Sequence, residues 1–419
     1  MTNDEQRALI QEIATAEFFS ESLALFNVTK EMLGDCKFIF AADNGPLPGL
    51  SVGRDFENGS AVRSLFSTER VLVLDKETLN EMSKGTAKFQ IDYSISLDTQ
   101  ALSYLEPYII GNSSKLPKDF KEIFSFISQE NVFVDPLPYI HENYQNLTNE
   151  KSAERIFSKL KAYEVLRNLD IGELENKSIV KASISEEELM SITQQQISRM
   201  YRDLDNAPYM KELDISFNYQ YAHLLKMICI QLENPKKSRY QKISEFLDFC
   251  HFDVSAIGFR EIFIACEFFE KGQKLGFFSK IQKNKKDLFQ IVKGMAWDLY
   301  HIRQMERAST MRPDQRARYF FPSFLTCDKR LVEVLDLYPL KCLAYIEGAY
   351  EPMPFFNRDI VGTLTKTDIE KDEILNKYFI ESKVNYRSKN RDKARNSFSE
   401  LVHNLEYELS NNGNKDTHN

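Results

Sequence analysis

The sequence is poor in glycine and proline, with 15 and 13 residues in a chain of 419, and it has no long apolar run. No stretch reaches the roughly 20 consecutive apolar residues that a membrane-spanning helix needs, so no contact with a membrane is predicted. A basic excess is also missing, because the formal net charge is -8. This charge excludes a uniformly basic nucleic-acid binder, but it leaves room for a local basic groove.

The six cysteines are scattered, and none belongs to a C-x-x-C pair or to a Cys/His cluster with zinc-ligand spacing. Scattered thiols are typical of a reducing compartment, so we predict a cytoplasmic protein. The opening MTNDEQ lacks the basic and apolar regions of a secretory signal. Hydrophobic residues make up 42% of the chain, which is enough for a sizeable core.

Short apolar runs with strand character alternate with helical patterns in both halves of the chain. Alternation of this kind predicts an α/β fold with a parallel sheet that helices cover on both faces. Residues 147 to 250 have almost no strand signal and read as successive amphipathic helices, which predicts a large all-helical insertion. The strand-like runs are KFIFAA, ERVLVLD, FQIDYSISLD, NVFVDP, YFFPSFLTCD and LKCLAYIEGAY.

These patterns divide the chain into five predicted segments. They are an N-terminal extension of helix and strands that can join the core (1–88), a first core part (89–146), the helical insertion (147–283), a second core part (284–350) and a charged helical tail (351–419).

Four acidic residues lie where strands end or where flanking helices begin. Asp98 and Asp328 directly follow apolar strands, in SISLDTQALSYL and FLTCDKRL. Glu142 lies on the helix after a short strand, in VDPLPYIHEN, and Asp298 lies on a long apolar helix, in GMAWDLYHIRQME. Because the carboxyl ends of parallel strands line the ligand crevice of an open sheet, we expect these four side chains to converge.

Converging carboxylates repel one another unless a cation compensates their charge. Mg²⁺ commonly binds through a few carboxylates together with waters and phosphate oxygens. Such an ion can activate a water for attack on phosphorus. An acidic cluster without histidine or cysteine ligands therefore predicts metal-assisted hydrolysis of a phosphodiester.

The four stretches resemble, in chain order, the motifs of PIN-domain nucleases. LDTQALSYL is similar to the first motif, VDPLPYIHE to the second, AWDLYHI to the third and FLTCDKRL to the fourth. The resemblance implies a PIN-like core that binds Mg²⁺ or Mn²⁺ and cleaves RNA, usually single-stranded. It assigns the metal-binding and catalytic roles to Asp98, Glu142, Asp298 and Asp328, with Thr326 as a supporting hydroxyl.

The family also suggests a wider setting for such a core. A PIN-like nuclease with a private helical module is expected to be regulated, as a bacterial toxin or phage-defence effector that a partner protein restrains. An oligomer is compatible with the sequence.

Simpler interpretations stand beside these assignments. Asp98 and Asp328 are each good helix N-caps in isolation. Asp135, or Glu261 or Glu267 within REIFIACEFFE, is an alternative to Glu142. His301, one turn from Asp298 on the same helix, is expected to be a buried, hydrogen-bonded histidine first and a supporting site residue second.

Basic residues near the acidic motifs are predicted to hold phosphate groups of a substrate. They are Arg303, Arg316 and Arg318, and the alternative interpretation is a solvated helix face.

Two other functions remain open from the sequence. The first is an inactive PIN-like protein that acts as an interaction scaffold through its helical insertion. The second is a Mg²⁺-dependent phosphatase or nucleotide hydrolase that acts on small phosphate esters.

Overall fold

The computed structural model describes residues 3–412, apart from 46, 48–52, 67, 69, 113 and 115. Nine strands lie within the described residues. In chain order they are β1 (Cys36–Ala41), β2 (Gly53–Asp55), β3 (Ala61–Arg63), β4 (Val71–Leu74), β5 (Ile91–Leu97), β6 (Val134–Asp135), β7 (Tyr319–Thr326), β8 (Leu340–Ile346) and β9 (Met353–Phe356).

Eighteen α-helices lie in the same part of the chain, and none of them is long and apolar enough to cross a membrane. They are α1 (Asn3–Thr15), α2 (Phe19–Leu33), α3 (Lys76–Ser83), α4 (Thr99–Ile109), α5 (Phe120–Ile127), α6 (Leu137–Asn143), α7 (Glu150–Arg167), α8 (Ile171–Lys177), α9 (Glu186–Asp205), α10 (Ala207–Glu233), α11 (Arg239–Phe252), α12 (Phe259–Lys271), α13 (Leu288–Ala308), α14 (Lys329–Leu335), α15 (Ile360–Leu364), α16 (Asp368–Ile374), α17 (Glu381–Asn396) and α18 (Phe398–Asn412). Short 3₁₀ turns occupy Gln145–Thr148, Gly272–Lys274 and Gly276–Phe278, and a π turn occupies Leu375–Phe379.

The first sheet is antiparallel, with strand order β4-β1-β8-β9. Phe38 in its centre pairs with Leu74 on one side and with Ala344 on the other. One face of this sheet packs against apolar residues of α1 and α2, including Ile10 and Phe26, which are fully buried. The apolar runs of β1 and β8 are explained by this burial.

The second sheet has strand order β2-β3-β7-β5-β6. β5 runs parallel to both β6 and β7, while β2 and β3 form an antiparallel hairpin that extends the sheet beyond β7. β7 is buried along its whole length, as expected for a central strand. The carboxyl ends of β5, β6 and β7, at Leu97, Asp135 and Thr326, lie at the same side of the sheet, which we call the carboxyl edge.

The mixed α/β class predicted from the sequence is confirmed, and all six predicted strands are present. The parallel arrangement is limited to β6, β5 and β7, and the strands form two sheets. The hairpin of β2 and β3 explains part of this difference, because its turn at Asn58 and Gly59 returns the chain antiparallel. Gly59 has a φ of +90°, a conformation that glycine adopts without strain.

The chain forms two compact units. The first comprises Met1–Asn206, Ile302–Val332 and Pro339–Asn357, and it contains both sheets. The second comprises Ala207–His301, Glu333–Tyr338 and Arg358–Asn419, and its described residues are helical or lie in turns and loops. The five segments, the PIN-like topology and the insertion inferred from the sequence stay predictions.

Candidate functional site

Asp98 lies at the carboxyl edge because β5 ends one residue before it and α4 begins one residue after it. Its backbone N–H donates to the carbonyl of Leu325 at 3.0 Å, which extends the pairing of β5 with β7 by one step. The side chain is the N-cap of α4 and accepts a hydrogen bond from the N–H of Ala101. The capping role of Asp98 that the sequence predicts is therefore confirmed.

The second carboxylate oxygen of Asp98 connects β5 to the end of β7. Oδ2 accepts a hydrogen bond from the N–H of Cys327 at 3.0 Å. The Thr326 hydroxyl donates to the same carboxylate, and it accepts a hydrogen bond from the N–H of Asp328 at 3.0 Å. Thr326 is fully buried, so it holds Asp98 and Asp328 in a fixed relation to β7.

The electrostatic environment of Asp98 disfavours its charged form. Burial raises the pKa of the carboxyl from 3.8 to about 6. The hydrogen bonds from Thr326 and from two backbone N–H groups act in the opposite direction, and the charge of Glu142 adds a smaller upward contribution. Asp98 is thus a buried acid whose charged form is further disfavoured by a second acid, Glu142.

Glu142 lies near the end of α6, the helix that follows β6. It is half-buried, and its charge is close enough to affect the pKa values of Asp98 and Tyr139. Asp135, the alternative to Glu142 in the same unit, accepts hydrogen bonds from the hydroxyls of Ser94 and Ser96 and from the N–H of Leu137. Asp135 therefore ties β6 to β5, and Glu142 is the better placed partner of Asp98.

Asp328 lies two residues after the end of β7 and directly before the start of α14. Its carboxylate forms a two-point ion pair with the guanidinium of Arg330, in which Nε lies 2.9 Å from Oδ1 and Nη2 contacts Oδ2. The N–H of Arg330 also donates to Oδ1 at 2.8 Å. A cation of the protein itself thus already neutralises the fourth predicted metal ligand.

Sequence reasoning missed Asp119, the residue before α5. Its side chain is 2% exposed, and its Oδ2 accepts a hydrogen bond from the N–H of Asn58 in the turn between β2 and β3 at 3.1 Å. Its Oδ1 is buried and has no hydrogen-bond partner among the described residues. In the sequence, Asp119 reads as an ordinary helix start within PKDFKEIF, and only the hairpin contact reveals its burial.

The pKa of the Cys327 thiol shows which acids lie near it. Burial raises the pKa of its thiol most, and the charges of Asp98, Asp119 and Asp328 raise it further. The side chain of Ser60, which lies beside β3, forms a hydrogen bond with this thiol. Three carboxylates from separate parts of the sequence are therefore close enough to Cys327 to act on one thiol.

Asp298 and His301 lie on α13, in the part of that helix that belongs to the second unit. Asp298 is half-buried. The ring of His301 is 4% exposed and stacks on Trp297, with 5.9 Å between ring centroids. His301 is thus buried against an aromatic ring, as expected, and its supporting role and the metal-binding role of Asp298 stay predictions.

Two further alternatives to Glu142 also lie in the second unit, on α12. Glu261 is 1% exposed and accepts a hydrogen bond from the side chain of Gln220 at 3.2 Å. Glu267 forms an ion pair with Lys271 at 2.8 Å. Both carboxylates have partners within their own unit.

The three arginines predicted to bind phosphate lie elsewhere in the first unit. Arg316 and Arg318 precede β7, so the eight residues of that strand separate them from the carboxyl edge. Arg316 forms an ion pair with Asp314, while Arg318 is buried and binds Glu81 at 2.7 Å. The structure therefore does not bring these two side chains to the acids.

Arg303 is the third predicted phosphate contact. It lies on α13, and its guanidinium forms an ion pair with the buried carboxylate of Glu306 at 2.8 Å. Because the acid is 2% exposed, Arg303 compensates a buried charge, and its role in substrate binding stays a prediction.

Among the described residues, the group of potential metal ligands whose atoms all lie within 4.8 Å of one another is Cys229, Glu233 and Glu408. It lies in the second unit, and Lys226 forms an ion pair with Glu408 at 3.6 Å. Asp98, Glu142 and Asp328 do not form such a group with one another. An ion bound at the carboxyl edge would therefore take one or two carboxylates and complete its shell with waters.

No protein-family model matches this chain, and neither a curated protein nor a solved structure matches it.

Proposed function

We propose that the carboxyl edge hydrolyses phosphodiester bonds of single-stranded RNA with the help of Mg²⁺ or Mn²⁺. The observation that carries this proposal is the carboxyl of Asp98, which is 8% exposed at a strand end and lies beside the charge of Glu142. A buried carboxylate close to the charge of a second acid is unfavourable unless that charge is compensated, and a cation can do so. The carboxyl-edge position also matches the place where open α/β sheets bind ligands.

The donor set suits a hard cation, because it consists of carboxylate and hydroxyl oxygens. Asp98 and Glu142 would be the primary ligands, and the hydroxyl of Thr326 keeps the Asp98 carboxylate in one orientation. Asp328 would join them by exchanging the guanidinium of Arg330 for the ion. Each carboxylate oxygen has two lone-pair directions, so Asp98 can cap α4 and bind an ion at the same time.

When bound, the ion would supply an activated water and stabilise charge on the phosphate. The residues of this chain would position that chemistry. Asp98 is fixed by hydrogen bonds from Thr326 and Cys327 at the end of β7 and from Ala101 in α4, and Glu142 comes from the separate helix α6. Asp298, in the stretch that resembles the third PIN motif, belongs to the second unit, and its metal-binding role stays a prediction from the sequence.

The direct test is Mn²⁺-dependent cleavage of a fluorescent single-stranded RNA by wild type and by the D98N variant. A matched control is D75N, because Asp75 is also a buried N-cap of the first unit, with 4% exposure. Asp75 accepts a hydrogen bond from Tyr319, whose position at the start of β7 places it at the other end of that strand. We expect loss of cleavage in D98N and retention in D75N, whereas equal activity of wild type and D98N would remove Asp98 from the mechanism.

A second function is favoured by one observation, the ion pair of Arg330 with Asp328. A built-in guanidinium at an acidic ligand position is what an inactive PIN-like protein would carry. In this alternative the acids cap helices, and the helical block of residues 147–283 serves as a protein-interaction scaffold. Absence of Mn²⁺-dependent cleavage by wild-type protein on single-stranded RNA would favour this reading.

A further inference from the structure

At the carboxyl edge, Asp119 has a buried carboxylate oxygen that accepts no hydrogen bond from the described residues. Its side chain is 2% exposed, and its Oδ1 has no hydrogen-bond partner among the described residues. Buried polar atoms without a partner are uncommon in folded proteins, and a water, an ion or a functional role accounts for each of them. An unpaired carboxylate oxygen is the costliest case, because it carries charge.

The position of Asp119 is fixed by the fold. Its other oxygen, Oδ2, accepts a hydrogen bond from the N–H of Asn58 at 3.1 Å, which attaches the start of α5 to the turn between β2 and β3. Gly59 in that turn approaches α14, since a Cβ at Gly59 would lie 3.1 Å from the side chain of Lys329. The unpaired oxygen is thus held in place by backbone contacts.

The surroundings of Asp119 are acidic. Its charge, together with the charges of Asp98 and Asp328, raises the pKa of the Cys327 thiol. A second buried oxygen without a partner, Oγ1 of Thr99, lies directly after Asp98 in the first turn of α4. The carboxylates of Asp98, Asp119 and Asp328 therefore lie close to one thiol, and the residue after Asp98 adds an unsatisfied oxygen.

A metal ion suits this region better than a water does. A water would satisfy the hydrogen bond, but it would leave the summed negative charge of the carboxylates in place. A divalent cation supplies both a partner for the oxygen and a compensating charge.

We propose that Asp119 is a direct ligand of a divalent cation at the carboxyl edge, and that Mg²⁺ or Mn²⁺ binds there through its Oδ1. This inference rests on the proposed function for the identity of the ion, and it adds a ligand that none of the four sequence motifs contains. Asp119 provides a carboxylate with a free oxygen, whereas Asp328 is paired with Arg330.

The test is Mn²⁺ binding to the whole 419-residue chain. The electron paramagnetic resonance signal of free Mn²⁺ measures how much of the ion stays unbound. The D119N variant keeps an oxygen that can accept from Asn58, and it removes the charge. D75N is the matched control, because Asp75 is a buried cap in the same unit whose two oxygens accept from Thr78 and Tyr319. Circular dichroism of all variants checks that they are folded.

We expect D119N to weaken Mn²⁺ binding by about tenfold or more, as for loss of a ligand or its immediate support. D75N should bind as wild type does, and D119E, which keeps the charge on a longer side chain, should bind more tightly than D119N. Equal binding by wild type and D119N would overturn the inference, as would absence of Mn²⁺ binding by wild type.

The readout separates this inference from the proposed function. Mn²⁺ binding that depends on Asp119, in a protein that cleaves no RNA, would support the ligand role of Asp119 and contradict the nuclease proposal. RNA cleavage that D119N leaves intact, together with unchanged Mn²⁺ binding, would contradict the ligand role and leave the nuclease proposal standing.

Discussion

At the scale of single residues, the central feature is one carboxylate with two roles. Asp98 caps α4 through Oδ1, and through Oδ2 it ties that helix to the end of β7. These contacts are structural, yet they hold a buried acid where other acids surround it. Structural and chemical roles of Asp98 can therefore be separated only by experiments that depend on its charge.

The first prediction concerns the pH dependence of stability. The pKa of Asp98 in the folded protein, about 6, lies above its usual value of 3.8. Between these pH values the folded state binds more protons than the unfolded state, so the free energy of unfolding falls as pH rises. In EDTA we expect Asp98 to contribute a loss on the order of 2–3 kcal/mol between about pH 4 and pH 6.

Urea unfolding of wild type and D98N across this range measures the effect. The asparagine cannot ionise. The free energy of unfolding of wild type should therefore fall relative to that of D98N as pH rises. A difference that stays constant from pH 4 to pH 7 would show that burial does not perturb this carboxyl.

The second prediction concerns Arg330. Replacing it by glutamine removes the guanidinium that pairs with Asp328, so that this carboxylate loses a compensating charge. We expect R330Q to tighten Mn²⁺ binding severalfold in an equilibrium titration. Arg316 offers a matched control, because it pairs with Asp314 at the same two-residue spacing but at an exposed position.

R316Q should leave Mn²⁺ affinity unchanged. If R330Q and R316Q give the same affinity as wild type, Asp328 takes no part in binding the ion.

At the scale of secondary structure, the sequence predicts long elements well and short ones poorly. The runs that form β1, β7 and β8 are apolar because these strands lie inside their sheets and are buried along most of their length. β2 and β3 have three residues each and β9 has four, too few for a periodic signal. Without the hairpin of β2 and β3, sequence reasoning has no way to place Asp119.

Helix caps allow a prediction at this scale. Ser185 and Glu188 form a capping box at the start of α9, in which each side chain bonds to the backbone of the other residue. S185A should lower the free energy of unfolding by about 1 kcal/mol, because an N–H of the first turn loses its acceptor. S198A on the same helix is the control, since Ser198 is exposed and bonds only to the carbonyl of Gln194.

Chemical denaturation of both variants measures this difference. A loss in S198A as large as that in S185A would show that the capping box does not stabilise α9.

At the scale of the whole molecule, both sheets and three of the four predicted acids belong to the first unit. The order of elements predicts that β5 and β7 present their ends at one edge, which is how Asp98 and Thr326 could be placed from the sequence. The pairing of Asp328 with Arg330 could not be predicted from the sequence, because an acid followed by KRL fits an exposed helix start equally well. The ion pairs of Arg318 could not be predicted either, since its acidic partners lie on α3, far away in the chain.

The most direct test of the nuclease proposal is an analysis of the ends of the RNA products. Attack by a metal-activated water needs no 2′-hydroxyl, so in Mn²⁺ the wild-type protein should cleave 2′-O-methylated RNA and leave no 2′,3′-cyclic phosphate. No RNA cleavage product should form in EDTA or with D98N. Cleavage that persists in EDTA, or that yields 2′,3′-cyclic phosphate ends, would contradict metal-dependent hydrolysis at the carboxyl edge.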